Sequence, residues 1–125
     1  MIYGIGTDIV EVTRIVASML QFGDDFSQRI LADSEFVSYQ NSHIKARFLA
    51  KRFAAKEAFS KALGTGLRTP ATFKNIAVTH DELGKPILVL APELLAYMQT
   101  QNIIQTHISI SDEKNLAAAF VVLEK

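Results

Sequence analysis

Cysteine is absent from this 125-residue chain, which excludes a disulfide framework, thiolate-bound zinc and thiol catalysis, and fits a reducing compartment such as the cytoplasm. An excess of either charge is also missing. With 13 Lys plus Arg against 13 Asp plus Glu, the molecule as a whole has no field to hold it on nucleic acid or an anionic membrane, so any polyanion must meet a local patch. No apolar run approaches the roughly 20 residues needed to cross a bilayer, and Met1 to Val10 has neither a basic leader nor a small-residue cleavage site. Neither secretion nor membrane insertion is therefore expected. Repeats, linkers and low-complexity tracts are lacking too. What is present is ordinary for a globular protein, 49% hydrophobic and 21% charged residues, in a length that suits one domain.

Ile2 to Val12 is rich in β-branched residues and holds Gly4 and Gly6, which predicts a buried strand approached closely by another backbone or a ligand. Thr13 to Phe22 carries Ile15, Val16, Met19 and Leu20 at helical spacing, with Thr13 as a possible cap and Gly23 at the end. Asp24 to Gln40 reads as two brief helical pieces, the second following the capping-type Asp33 and Ser34. His43 to Leu63, free of Pro and Gly and stopped by Gly64-Thr65-Gly66, should be the longest helix. Asn75 to His80 and Pro86 to Leu90 read as a hairpin joined by Asp81-Glu82-Leu83-Gly84-Lys85. A helix opens at Pro92 and runs to about Gln101. His107 to Ser111 alternates as a strand, and Leu116 to Leu123 is apolar enough for a buried one.

The long helix does not collect its charges on one side. At about 100° per residue, Lys51, Lys56 and Lys61 fall at separated angles with Phe48, Phe53 and Phe59 between them, as in a helix held between a core and a second surface, a ligand or another subunit. Lys45, Arg47, Lys51, Arg52, Lys56 and Lys61 supply six of the 13 positive charges against one acid, Glu57. They form either an anion-attracting surface or a solvated face. Glu57 and Lys61 lie one turn apart, which by itself makes a simple helix ion pair.

Asp8 sits among Ile5, Ile9 and Val10, and burying a carboxylate unpaired costs several kcal/mol. It needs a partner: a helix cap, a lysine, or a hard cation shared with a second carboxylate, for which Glu57 is the candidate and magnesium the suitable ion. The two glycine clusters lack the arrangement of a dinucleotide or Walker loop, and His43, His80 and His107 lack zinc-ligand spacing.

Taken in order, Gly4-Ile5-Gly6-Thr7-Asp8-Ile9-Val10-Glu11 with Arg14-Ile15, Arg52-Phe53-Ala54-Ala55-Lys56-Glu57-Ala58 with Lys61-Ala62 and Gly64-Thr65-Gly66, and Gly84-Lys85-Pro86 resemble the holo-acyl carrier protein synthase family over nearly the whole chain. The resemblance implies a compact α+β domain, a mainly antiparallel sheet on one long helix and shorter ones, assembling as a homotrimer with coenzyme A between neighbouring subunits. It implies transfer of phosphopantetheine from coenzyme A to a serine of acyl carrier protein, in support of fatty acid biosynthesis. Asp8 and Glu57 match the magnesium ligands, and Lys61 matches the lysine near the diphosphate. Arg52, Gly64 and Pro86 match the coenzyme A site, with Phe53, Ser60 and Lys85 expected beside them. Arg14 matches a position that meets the carrier protein. Many members have Ser-x-Ser-His near the C-terminus, whereas this chain reads Ser109-Ile110-Ser111-Asp112-Glu113. Ser109 and Ser111 can still offer hydroxyls to the 3′-phosphate, while an acid at 112 repels it unless its side chain points away. The competing reading is a non-catalytic trimeric module that binds coenzyme A or an acidic partner.

Overall fold

Two glycines decide how the first strand packs. In the computed structural model, which describes residues 1–125, strand β1 (Ile2–Glu11) runs along helix α4 (Lys45–Leu63). A Cβ built on Gly4 would lie 2.0 Å from the Ala62 carbonyl oxygen, and one on Gly6 2.0 Å from that of Ala58. Only bare backbone fits against this alanine ridge, so the close approach expected of the glycines is one to a helix backbone.

The remaining elements follow the sequence closely. They are α1 (Val12–Phe22), α2 (Asp24–Ile30), a 3₁₀ turn at Asp33–Glu35, α3 (Phe36–Gln40), β2 (Ile76–His80), β3 (Pro86–Leu90), α5 (Pro92–Thr100), β4 (Gln105–Asp112) and β5 (Leu116–Glu124). Helix α4 begins at Lys45, two residues inside the expected start, and ends where Gly64 turns left-handed at φ 87° and donates its amide to the Ser60 and Lys61 carbonyls. Twelve of its 19 residues are buried, which makes it the axis of the molecule. Leu49 and Phe59 are wholly enclosed, each contributing about 1.5–3 kcal/mol of burial.

The strands make two antiparallel sheets rather than one: β1-β5-β4, and the β2-β3 hairpin. In the first, Asp8 pairs across β5 with Ala119, which in turn faces Ile110. Alternation then puts Gly6, Asp8, Val10, Ala119 and Ile110 on the side of α4, and Ile5, Ile9, Phe120, Ser109 and Ser111 on the other. That other side is open, with Ile9 64% exposed and Phe120 46% exposed. The full burial expected for β1 and β5 is thus corrected to burial on one face.

Thr13 does not cap α1. The helix starts directly from the strand at Val12, whose amide donates to the Asn115 carbonyl. No helix is long and apolar enough to cross a membrane.

Candidate active site

Asp8 projects from the helix-facing side of β1, and Lys61, on the last turn of α4, reaches across to it. The Lys61 ammonium donates to Asp8 Oδ1 at 3.2 Å and to the Thr7 carbonyl at 3.0 Å. The expected Glu57–Lys61 pair along the helix is therefore replaced by one between helix and strand, and no ion pair includes Glu57. Glu57 stands one turn before Lys61 and faces the same side. Partial burial holds its carboxyl above the ordinary value, and the neighbouring Asp8 charge pushes it further up while Lys61 opposes. Two acids that repel each other beside one lysine are under-neutralised, the condition in which a divalent cation binds. No three His, Asp or Glu side chains converge anywhere in the chain, so an ion held here would have these two carboxylates alone from the protein and would complete its shell with ligand oxygens and water.

A second charged cluster lies on the other side of α4. Arg52 and Lys56 are buried at 4% and 0% exposure, which corrects their expected place on a basic surface. Both turn inward to Glu35, a residue to which the sequence drew no attention. Glu35 accepts four hydrogen bonds: from Lys56 Nζ at 2.6 Å, the Ala32 amide at 2.8 Å, the Val78 amide at 3.0 Å and Arg52 Nε at 3.3 Å. Lys56 places its other two protons on the Ile30 and Phe73 carbonyls. Burial lowers Lys56 to about 8, with Glu35 opposing that fall. The signal was the acid at the end of Asp33-Ser34-Glu35, reaching back to the Ala32 amide at the start of its own turn.

Beside this knot lies a cavity of about 180 Å³ lined by Lys51, Arg52, His80, Gly84, Pro86, Ile110 and Asp112. Its field is positive. Burial, then the Arg52 and Lys51 charges, hold His80 below its ordinary value, and the lining acid is neutralised, because Asp112 accepts from Arg47 Nη2 at 2.6 Å. Asp81 fixes the hairpin end of the cavity by accepting from the Leu83 and Lys85 amides. A larger cavity, about 690 Å³ between β3, α5 and the start of β4, has no titratable side chain in its wall and offers no chemistry.

The structure thus divides the expected residues. Asp8, Glu57 and Lys61 come together; Arg52 and Pro86 come together in the cavity with Lys85 at its turn. Arg52 lies five residues before Glu57 and so about 140° away around the helix. Phe53 stacks on Phe73, and Gly64 forms the helix stop. Ser60 is enclosed with its hydroxyl on the Glu57 carbonyl, leaving it nothing to offer a ligand from outside. Ser109 and Ser111 face the open side of the sheet, away from Asp8. Arg14 is exposed on the first turn of α1.

An α+β domain with an under-neutralised carboxylate pair, a nearby lysine and a separate cationic cavity offers two places where an anionic ligand could be met. Residues 4–121 match the family model described as the 4′-phosphopantetheinyl transferase superfamily, and the chain belongs to that family. It is 57% identical over 125 residues, covering all of both chains, to a Nitrosomonas eutropha protein named holo-[acyl-carrier-protein] synthase. Among solved structures, the synthase of Neisseria meningitidis superposes with a TM-score of 0.98 at 47% identity over the whole of each chain. The Bacillus anthracis synthase, solved in complex with CoA (3′,5′-ADP), gives 0.80 at 43% identity, covering 98% of this chain and 96% of that one.

Proposed function

We propose that this protein transfers the 4′-phosphopantetheine arm of coenzyme A to a serine of apo-acyl carrier protein, in the cytoplasm, supplying holo-carrier for fatty acid biosynthesis. The observation that carries the reading is the meeting of Asp8, Glu57 and Lys61 across β1 and α4. The serine hydroxyl attacks the phosphorus that bears pantetheine, the bond from that phosphorus to the bridging oxygen breaks, and adenosine 3′,5′-bisphosphate leaves with the electron pair while the serine proton passes to solvent. Magnesium, held by Asp8 and Glu57, would supply charge neutralisation at the diphosphate. Lys61 would meet the leaving phosphate, and its hold on the Thr7 carbonyl keeps the ammonium near Asp8.

Asp8, Glu57 and Lys61 face one flank of α4, whereas the cationic cavity opens on the other, so one ligand spans both kinds of surface most simply between copies. The open sheet face supports this. Ile5, Ile9, Leu116 and Phe120 leave an apolar patch uncovered, with Ser109 and Ser111 along its border, and a second copy in a homotrimer would bury the patch and bring those hydroxyls to a neighbour's site. Arg14, free on α1, suits an acidic helix of the carrier protein. Incubation with apo-carrier, coenzyme A and magnesium should add the phosphopantetheine mass to the carrier, and light scattering should give three times 13.8 kDa. An unchanged carrier mass would remove the transferase reading, and a monomer at working concentration would remove the shared site.

A further inference from the structure

Glu35 is the only acidic side chain in the core, and nothing in the transfer step uses it. Its geometry connects three things that the step does use. Through Oε2 it holds Nε of Arg52, whose guanidinium forms part of the cationic cavity wall and lies 4.1 Å from the Phe48 ring centroid. Through the same oxygen it holds the Val78 amide in β2, the strand that leads to His80 and then to the hairpin turn with Gly84 and Pro86. Through Oε1 it holds Lys56, whose remaining protons are fixed on the Ile30 and Phe73 carbonyls, so that α4 is locked in rotation one residue before Glu57.

All four of its acceptor positions are in use, and both side-chain donors belong to α4. A glutamine would keep the volume but turn one of the two acceptor oxygens into an NH2 that faces two N–H donors, so it loosens the grip on a guanidinium that also has an aromatic face and a ligand-facing cavity within reach.

We propose that Glu35 is a positioning residue for the ligand: its enclosed carboxylate sets the Arg52 guanidinium in the cavity wall and ties that wall to the hairpin at Val78. The inference rests on the transferase reading for its kinetic form, since Arg52 is taken to meet coenzyme A there. Its consequence is a specific split. Losing the carboxylate charge lets Arg52 settle in other orientations, which weakens binding of the substrate before the reaction and leaves the step at Asp8, Glu57 and Lys61 nearly intact.

The test is Glu35→Gln in the full-length protein, with folding checked by circular dichroism. The KM for coenzyme A should rise about tenfold with kcat within about twofold, and 3′,5′-ADP binding by calorimetry should weaken by the same factor. In an Arg52→Lys background the same change should add little further, because the group being positioned is already gone. A purely structural role predicts a lower melting temperature and fewer active molecules at unchanged KM, and that result overturns the proposal. So does an equal rise in KM in the Arg52→Lys background. Should Glu35→Gln not fold, Glu35→Asp, which keeps the charge but shortens the reach, takes its place with the same expected split; failure of both to fold also overturns the proposal. If the unaltered protein modifies no carrier, the transferase reading fails alone, and the 3′,5′-ADP calorimetry still decides the role of Glu35.

Discussion

Helix α4 carries two clusters of acid and lysine that differ in one respect, the balance of donors and acceptors. On one flank, Glu35 receives four hydrogen bonds and Lys56 gives three, so every charge-bearing atom is satisfied inside the protein. On the other, Asp8 and Glu57 share one partly exposed lysine, and Glu57 has no ion-pair partner. The residue types are nearly the same. The saturated cluster has no acceptor left for a cation and can only hold and orient other side chains, whereas the deficient one has room for a cation, which is the physical difference between a supporting and a chemical use of a carboxylate.

The sharpest way to break the comparison is at the deficient cluster. Asp8→Asn and Glu57→Gln should each lower carrier modification by about 10²-fold or more in steady-state assays. The melting temperature of Glu57→Gln should be unchanged or slightly higher, because it relieves the repulsion between the two acids, and that of Asp8→Asn about unchanged, because it also gives up the partly exposed pair with Lys61. Full turnover in either variant would place that carboxylate outside the site.

At the saturated cluster the cost should fall on stability instead. Lys56→Met leaves Glu35 enclosed without its shortest contact and should lose about 3–5 kcal/mol in urea unfolding. A loss below about 1 kcal/mol would mean that Arg52 and the two amides satisfy Glu35 unaided.

The smallest effect, and the one that measures the deficiency directly, is pH dependence. Because the folded-state value of Glu57 lies above the ordinary 4.5, a proton competes with the cation to a higher pH than at an isolated carboxylate. Magnesium affinity, titrated in the presence of coenzyme A, should strengthen as pH rises through that raised value and then level off. Without metal the sign for folding is the reverse. A carboxyl that binds its proton more tightly when folded favours the folded state at low pH, and that contribution is lost as pH rises through its folded value. Glu57→Gln should flatten both dependences, and an unaltered metal profile in that variant would assign the titration to another group.

The order of elements was legible because each is marked locally. The glycines stop helices, the turn residues close the hairpin, and the alternation of β4 continues in the structure from Gln105 to Asp112. Asp8 was legible because a carboxylate among β-branched residues is costly and asks for a partner. Glu35 was not, since its partners lie 17 and 21 residues along the chain and no periodicity links them. The same distance explains why Arg52 and Lys56 read as surface charges, because a helix pattern shows which side chains are basic but not that an acid far upstream encloses two of them. Asp112 was settled only by Arg47, 65 residues earlier, whose guanidinium removes the repulsion that the sequence raised.

Gly4 and Gly6 bring the first strand so close to the Ala58 and Ala62 carbonyls that no side chain stands between the two backbones. The separation of the backbones that carry Asp8 and Glu57 is consequently fixed by main-chain contact. A single methyl group added at Gly6 would push strand and helix apart as a unit, so the two acids would move away from each other even if each kept its own conformation.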